Sequence, residues 1–347
     1  MAIATITATG VSSQPPAINH GAVTQKVTRP TIKLPQSLID EARAVEKESF
    51  NPSKHVVFQH PKRIYSMEEI GLEGHGISPN AVSEPFQLFS QDAVKQMRAE
   101  IFSEPVLDSC QYTSVFVKHT IRGMGPKRAP FTYNAWRSPE VLSRISEVAG
   151  MELVPVMDTE IAAINIAINN QNPSVAQTND SSKENDLPAF AWHYDSYPFV
   201  CVTMLSDCNH MTGGETALKT GTGEIMKVRG PAMGTAVVMQ GRYINHQALK
   251  ALGGQERISM ITSFRPKSPL LKDESVLTGV RGISNVPELY SQYTQYRLEI
   301  LEERIKDRLK TERYRELAGW TFNISEVRQF LNEQMEFLES MLNELVE

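Results

Sequence analysis

Between residues 152 and 266 the chain breaks into short apolar, β-branched runs, at 161–168, 199–205, 234–239 and 257–264, separated by Gly, Pro, Asn and Asp. Such runs read as strands. Parallel strands need long crossover connections, commonly helices, and the segments between these runs read as turns and loops rich in Gly, Pro, Asn and Asp, not as crossover helices. An antiparallel β core is therefore expected over residues 151–270.

The flanks carry a different period. After Pro35, Leu38, Ile39, Ala42 and Val45 recur at helical spacing, and Asn51-Pro52 closes that stretch. Ser90 is placed as an N-cap ahead of Ala93, Val94, Met97 and Ile101, which share one helix face. A short strand is expected at 114–117. Ser138 as cap and Pro139 in the first helical position lead Val141, Leu142, Ile145 and Val148 into a helix that Gly150 ends. Beyond Pro287, Leu289, Tyr293, Leu298, Leu301, Ile305 and Leu309 are spaced for one face, with a break near Gly319. A last helix opens at Asn323 or Ser325 and carries Val327, Phe330, Leu331, Leu338, Met341, Leu342 and Leu345 close to a heptad seam. That stripe is expected to pack on the β core, with a homodimer seam as the alternative. The chain is thus read as α+β. Residues 1–35 form a flexible N-terminal arm, 36–150 a helical or mixed cap, 151–270 the core and 285–347 the C-terminal helices.

Bulk composition excludes several classes of function. A net charge of −5 and the lack of an arginine-rich, aromatic-interleaved stripe argue against nucleic acid as a partner. Cys110, Cys201 and Cys208 form neither a disulfide framework nor a CxxC pair, which suits a reducing compartment. The sequence offers no apolar run long enough to span a membrane and no secretory signal, so a cytoplasmic protein with no membrane partner is expected.

The chemistry concentrates in a few residues. In an extended chain residues i and i+2 point the same way, so His193 and Asp195 of Trp192-His193-Tyr194-Asp195 can both face a barrel interior, against the plainer reading of a surface turn with no ligand. His246 follows a Gly-containing turn and can supply a second imidazole from a distant strand. Two imidazoles and one carboxylate on one face of a metal leave adjacent positions open, as non-haem iron(II) chemistry requires. Alternation along 257–266 puts Arg257 and Ser259 on one face, where a guanidinium beside a hydroxyl makes a receptor for the distal carboxylate of a dicarboxylic acid. The loop from Arg122 through Lys127 and Arg128 to Tyr133 is basic and aromatic. It is a candidate for holding a small carboxylate substrate, against the plainer reading of a surface loop. His210 reads as a loop residue and Arg265 as a structural or solvated residue at a strand end. Cys201 and Cys208 have no metal-pair spacing and read as small core hydrophobes.

From Ala191 to Pro266 the residues spell a family pattern: His193-x-Asp195, a Gly213-Gly214-Glu215 turn, the run Gly230-Pro231-Ala232-Met233-Gly234-Thr235, then His246, Arg257-x-Ser259 and a closing Ser263-Phe264-Arg265-Pro266. This resembles the iron(II)/2-oxoglutarate-dependent oxygenases, and within them the isopenicillin N synthase-like branch. The whole chain is also similar to fungal secondary-metabolism oxygenases, a group that includes one closing L-valine into an aziridine. The resemblance implies a double-stranded β-helix, or jelly-roll, core with an N-terminal helical cap and C-terminal helices that close the pocket. It implies iron(II) held by His193, Asp195 and His246, with 2-oxoglutarate and O2 as co-substrates and Arg257 and Ser259 gripping the 2-oxoglutarate carboxylate. The implied reaction abstracts hydrogen from an unactivated C–H of a small carboxylate or amino acid, and ends in hydroxylation, desaturation or ring closure. Many relatives carry a tyrosine that also touches the co-substrate. Here the stretch reads Ile164-Asn165-Ile166-Ala167-Ile168-Asn169, leaving Asn165 or Asn169 as substitutes or as loop-capping residues. Some oxidases of the branch keep Arg-x-Ser without using 2-oxoglutarate. The competing function is a non-catalytic jelly-roll protein that binds a metabolite or partner around a vestigial metal site.

Overall fold

In the computed structural model, residues 28–113, 118–168, 191–208, 211–228, 232–252 and 256–347 are described. The strand expected at 114–117 and the residues Asn169 and His210 lie outside them. In chain order the strands are β1 (Ile64–Ser66), β2 (Asn80–Ser83), β3 (Phe86–Gln87), β4 (Gln111–Tyr112), β5 (His119–Ile121), β6 (Leu153–Pro155), β7 (Ala163–Ile168), β8 (Phe199–Met204), β9 (Thr212–Gly213), β10 (Thr216–Lys219), β11 (Ile225–Val228), β12 (Thr235–Met239), β13 (His246–Ala248), β14 (Ala251–Leu252) and β15 (Glu256–Pro266). All pairings are antiparallel. One sheet runs β1-β2-β12-β8-β15-β7-β5-β4, with β3 on β12 and β6 on β15; a second runs β11-β10-β13. Strands contributed before residue 122 therefore extend both edges of the large sheet.

Strand alternation divides that sheet into two faces. Ile258, Met260 and Phe264 of β15, with Cys201 of β8 and Ile164 and Ile166 of β7, pack under the helices through Met97, Trp136, Val141 and Ile145. The opposite face sends Val200, Val237 and Met239 against Leu218 and Val228 of the small sheet. Arg257, Ser259 and Ile261 have the parity of this interior face. The candidate residues Arg257 and Ser259 thus have the parity of the face between the two sheets.

Two helices follow their sequence signals, whereas the one expected through Val45 ends at Arg43 and Asn51 caps a short helix, Pro52–His55. Ser90 Oγ accepts from Ala93 N at 3.2 Å at the start of Gln91–Ile101. Ser138 Oγ accepts from Val141 N at 3.2 Å at the start of Pro139–Ala149, which ends at Gly150 with φ +73°. The helix Pro130–Arg137 has no capping side chain of its own. Buried Glu100 supplies one from a distance, accepting from Phe131 N at 2.8 Å, Thr132 N at 2.9 Å and Thr132 Oγ1 at 2.7 Å. Glu100→Ala leaves these buried donors without an acceptor and is expected to lower the unfolding free energy by about 2–4 kcal/mol. Urea denaturation checks this, with Glu100→Gln, which keeps one acceptor oxygen, expected to lose less.

The C-terminal region corrects two expectations. The helix Val286–Leu317 does not bury one continuous stripe: Leu289 and Tyr293 are buried, whereas Leu298, Ile305 and Leu309 are exposed. The five-residue step from Tyr293 to Leu298 turns the later residues off the inner face. The last helix, Ile324–Glu344, buries Gln334, Phe337 and Met341, while Leu331, Leu338 and Leu342 face outward. The single heptad seam is in fact two stripes.

Candidate metal centre

His193 and His246 are register partners, each backbone N–H donating to the other's carbonyl at 2.9 Å. Residues opposite one another in an antiparallel pair put their side chains on the same face. Asp195, two residues on, shares that face, and its N–H donates to Gly241 O at 2.9 Å. The ligand atoms of His193, Asp195 and His246 all lie within 4.8 Å of one another. The imidazole centroids are 4.4 Å apart, and each Nε2 is 3.6 Å from an Asp195 oxygen.

Both imidazoles are oriented from behind. His193 Nδ1 lies 2.8 Å from Ala191 O, and His246 Nδ1 lies 2.9 Å from Ile244 O. A carbonyl only accepts, so each Nδ1 is oriented as the donor and each Nε2 is turned toward Asp195, which raises the His193 pKa against the opposing effect of burial. Burial pushes the His246 pKa down, which favours the neutral, ligating form. Burial alone would push Asp195 up, but His246, His193 and Arg242 outweigh it and hold the carboxyl below its ordinary range. Asp195 Oδ2 is buried with no hydrogen-bond partner. Two imidazoles and one carboxylate brought this close together are a donor set that suits a divalent transition metal.

Gly241 makes this arrangement possible, a role that spacing in the sequence did not disclose. A Cβ there would overlap Asp195 Oδ2 and Cγ and stand 3.0 Å from Asp195 Cβ. Its φ is not positive, so the glycine serves close approach and not backbone freedom. Arg242 was also missed. Its Nε donates to Glu274 O at 3.0 Å, and its charge favours the ionised Asp195.

Register places the other candidates. Across the large sheet Asn165 opposes Ser259, which in turn opposes Met204, and Ala167 opposes Arg257. Thr120 Oγ1 donates to Asn165 Oδ1 at 2.7 Å. Ser259 is buried. Burial pushes the Arg257 guanidinium down, and the only ionisable group among the described residues that offsets this is the Cys208 thiol. Adjacent Glu256 cannot compensate, because it pairs with Arg98 at 2.6 Å. Arg257 is thus a partly buried cation with no carboxylate partner among the described residues.

The basic loop is dispersed. Arg122 is buried in an ion pair with Glu160. With exposed Arg128 it borders a cavity of about 40 Å³ that Tyr112, Thr159 and Ser284 also line. Tyr133 Oη donates to the Asp158 carboxylate at 3.1 Å, and Lys127 is exposed. Cys201 is buried in the outer core, and Arg265 lies over the Tyr296 ring at 5.1 Å. No described helix is long and apolar enough to cross a membrane.

No family model and no curated protein matches the chain. Solved structures with partial likeness include a 2OG-Fe(II) oxygenase family oxidoreductase from Burkholderia pseudomallei, at 15% identity, TM-score 0.31, and 42% of this chain against 65% of that one. AviO1 from Streptomyces viridochromogenes Tue57 has 12% identity and TM-score 0.37 over 58% and 94%. HygX from Streptomyces hygroscopicus, solved with nickel, 2-oxoglutarate and hygromycin B bound, has 13% identity and TM-score 0.31 over 52% and 80%. The match spans less than two thirds of the Burkholderia chain. Likeness at this level carries no weight for function, which rests on the geometry above.

Proposed function

We propose that this chain is an iron(II)- and 2-oxoglutarate-dependent oxygenase with a double-stranded β-helix core. The observation that carries the reading is the convergence of the His193, Asp195 and His246 ligand atoms to within 4.8 Å of one another, with Asp195 Oδ2 buried and without a hydrogen-bond partner. Two layers support the fold: β7-β15-β8-β12 on one side, and β11-β10-β13 continued by the His193–His246 bridge on the other. His193, Asp195 and His246 would hold the metal through two imidazole nitrogens and one carboxylate. Arg257 and Ser259 bind the distal carboxylate of 2-oxoglutarate from the same interior face. The bound metal supplies O2 activation coupled to oxidative decarboxylation of 2-oxoglutarate. The protein's residues orient the substrate and keep water out of the space between the sheets. A small carboxylate or free amino acid, L-valine among them, is the proposed substrate class; it rests on the family resemblance, as does a role in secondary metabolism.

Anaerobic iron(II) plus 2-oxoglutarate is expected to give a weak visible charge-transfer band that Asp195→Ala abolishes. Failure to take up iron or to form the band ends this reading. Incubating amino acids and small carboxylic acids with enzyme, iron, 2-oxoglutarate and O2 should release succinate in step with a product shifted by +16 or −2 mass units. Oxidation without succinate points instead to an oxidase.

A further inference from the structure

The two C-terminal helices, Val286–Leu317 and Ile324–Glu344, form an antiparallel hairpin. Arg297 and Arg304 sit over the Phe337 ring at 3.6 and 4.4 Å, Arg308 over Phe330 at 5.9 Å, and Arg315 pairs with Glu326 at 2.6 Å. These residues mark the sides on which the helices face each other. On the first helix Leu298, Ile305 and Leu309 each follow one of these arginines by one position; on the second, Leu331 and Leu338 each follow one of the phenylalanines. One position is about 100° of rotation, and in an antiparallel pair it turns both helices toward the same side. The opposite side is taken by the body of the protein, where Leu289, Tyr293, Tyr296 and Ile300 pack with Val156, Met157, Tyr197 and Leu277. The hairpin therefore presents a flat outer face of two parallel apolar stripes.

We propose that a second copy of this chain covers that face, so that two hairpins close a four-helix bundle about a two-fold axis. Leu298, Ile305, Leu309, Leu331, Met335, Leu338 and Leu342 are between 41% and 73% exposed in the single chain. Side chains of this size and exposure offer roughly 600–700 Å² per copy, close to the ~800 Å² per partner of a stable interface and well beyond scattered surface apolar residues. The spacing of Leu331, Met335, Leu338 and Leu342 is four, three, four. This spacing keeps the four side chains on one face of the helix, so that the same apolar patch of two copies can meet in an isologous contact. The exposed Trp320, Phe322 and Ile324 at the hairpin turn lengthen the apolar surface toward one end.

Sedimentation equilibrium on the full chain at micromolar concentration is expected to give twice the 38.8 kDa chain mass. Leu331→Glu and Leu338→Glu together place charges at the centre of the contact and are expected to raise the dimer Kd at least about 100-fold. These side chains are exposed in the single chain, so far-UV circular dichroism and iron uptake should not change. A wild-type chain that stays monomeric overturns the proposal, and so does a dimer that survives the double substitution. Pelleting with phosphatidylcholine–phosphatidylserine vesicles is expected to leave the protein in solution. A monomer that pellets through these same residues would mean that the face meets a lipid surface and would overturn the dimer.

Discussion

Gly241→Ala is expected to lose iron(II) affinity by about 100-fold or more while keeping its fold, a loss on the scale of removing a ligand's supporting contact or greater. The new methyl group would occupy the volume that Asp195 Oδ2 fills. One of the two must move, and the surroundings decide which. The turn is pinned by Gln240, whose buried side chain accepts from Ile77 N at 3.0 Å and donates to Ser78 O at 2.8 Å and Asn80 O at 2.6 Å. Its backbone is tied as well, through Gln240 N to Ala81 O at 2.9 Å. The Asp195 carboxylate has no hydrogen-bond partner on Oδ2 and is the easier group to displace. It rotates away, and the centre keeps two imidazoles without the charge that neutralises the metal. Anaerobic titration of iron(II), or of manganese(II) as an air-stable probe, reads the affinity, and circular dichroism reads the fold. Wild-type affinity in the alanine variant would show that Asp195 does not ligate in this conformation.

The residues that could be read from sequence are those whose role depends on parity and period. His193 with Asp195, and Arg257 with Ser259, are i, i+2 pairs on extended chain, and strand alternation alone fixes their common face. Ser90, Ser138 and Gly150 are local signals acting on their own helices. What escaped depends on contacts between distant segments. Gly241 matters because its backbone meets Asp195 across the sheets, and Glu100 because it caps a helix some thirty residues away along the chain. Arg122 looked available because its sequence neighbours are basic, yet its counter-charge, Glu160, arrives from the 3-10 turn Asp158–Glu160. The exposed stripes of the hairpin were misjudged for a related reason. A heptad pattern reports that a helix has an apolar side, but not which of two neighbouring sides the body of the protein covers.

Arg257→Met is expected to abolish co-substrate binding while leaving the protein as stable as before, or more so. Even a partly buried charge is costly unless it is paired, and among the described residues no carboxylate compensates Arg257. Methionine of similar length keeps the packing and removes that cost, so the unfolding temperature should hold or rise. With 2-oxoglutarate the order reverses. The wild-type guanidinium and Ser259 gain the charged partner they lack, and ligand at a hundred times its Kd adds about 2.7 kcal/mol to stability. The variant should gain almost none of this, since losing a charge-assisted bidentate contact lowers affinity about 100- to 1000-fold. Iron uptake should be unchanged, because Arg257 does not belong to the His193–Asp195–His246 group. Thermal melts of both proteins, with and without 2-oxoglutarate and in the presence of manganese(II), resolve these effects. Equal stabilisation of the two by 2-oxoglutarate would place the co-substrate carboxylate elsewhere. A variant less stable without ligand would mean that Arg257 has a structural partner and is not held in reserve for an incoming anion.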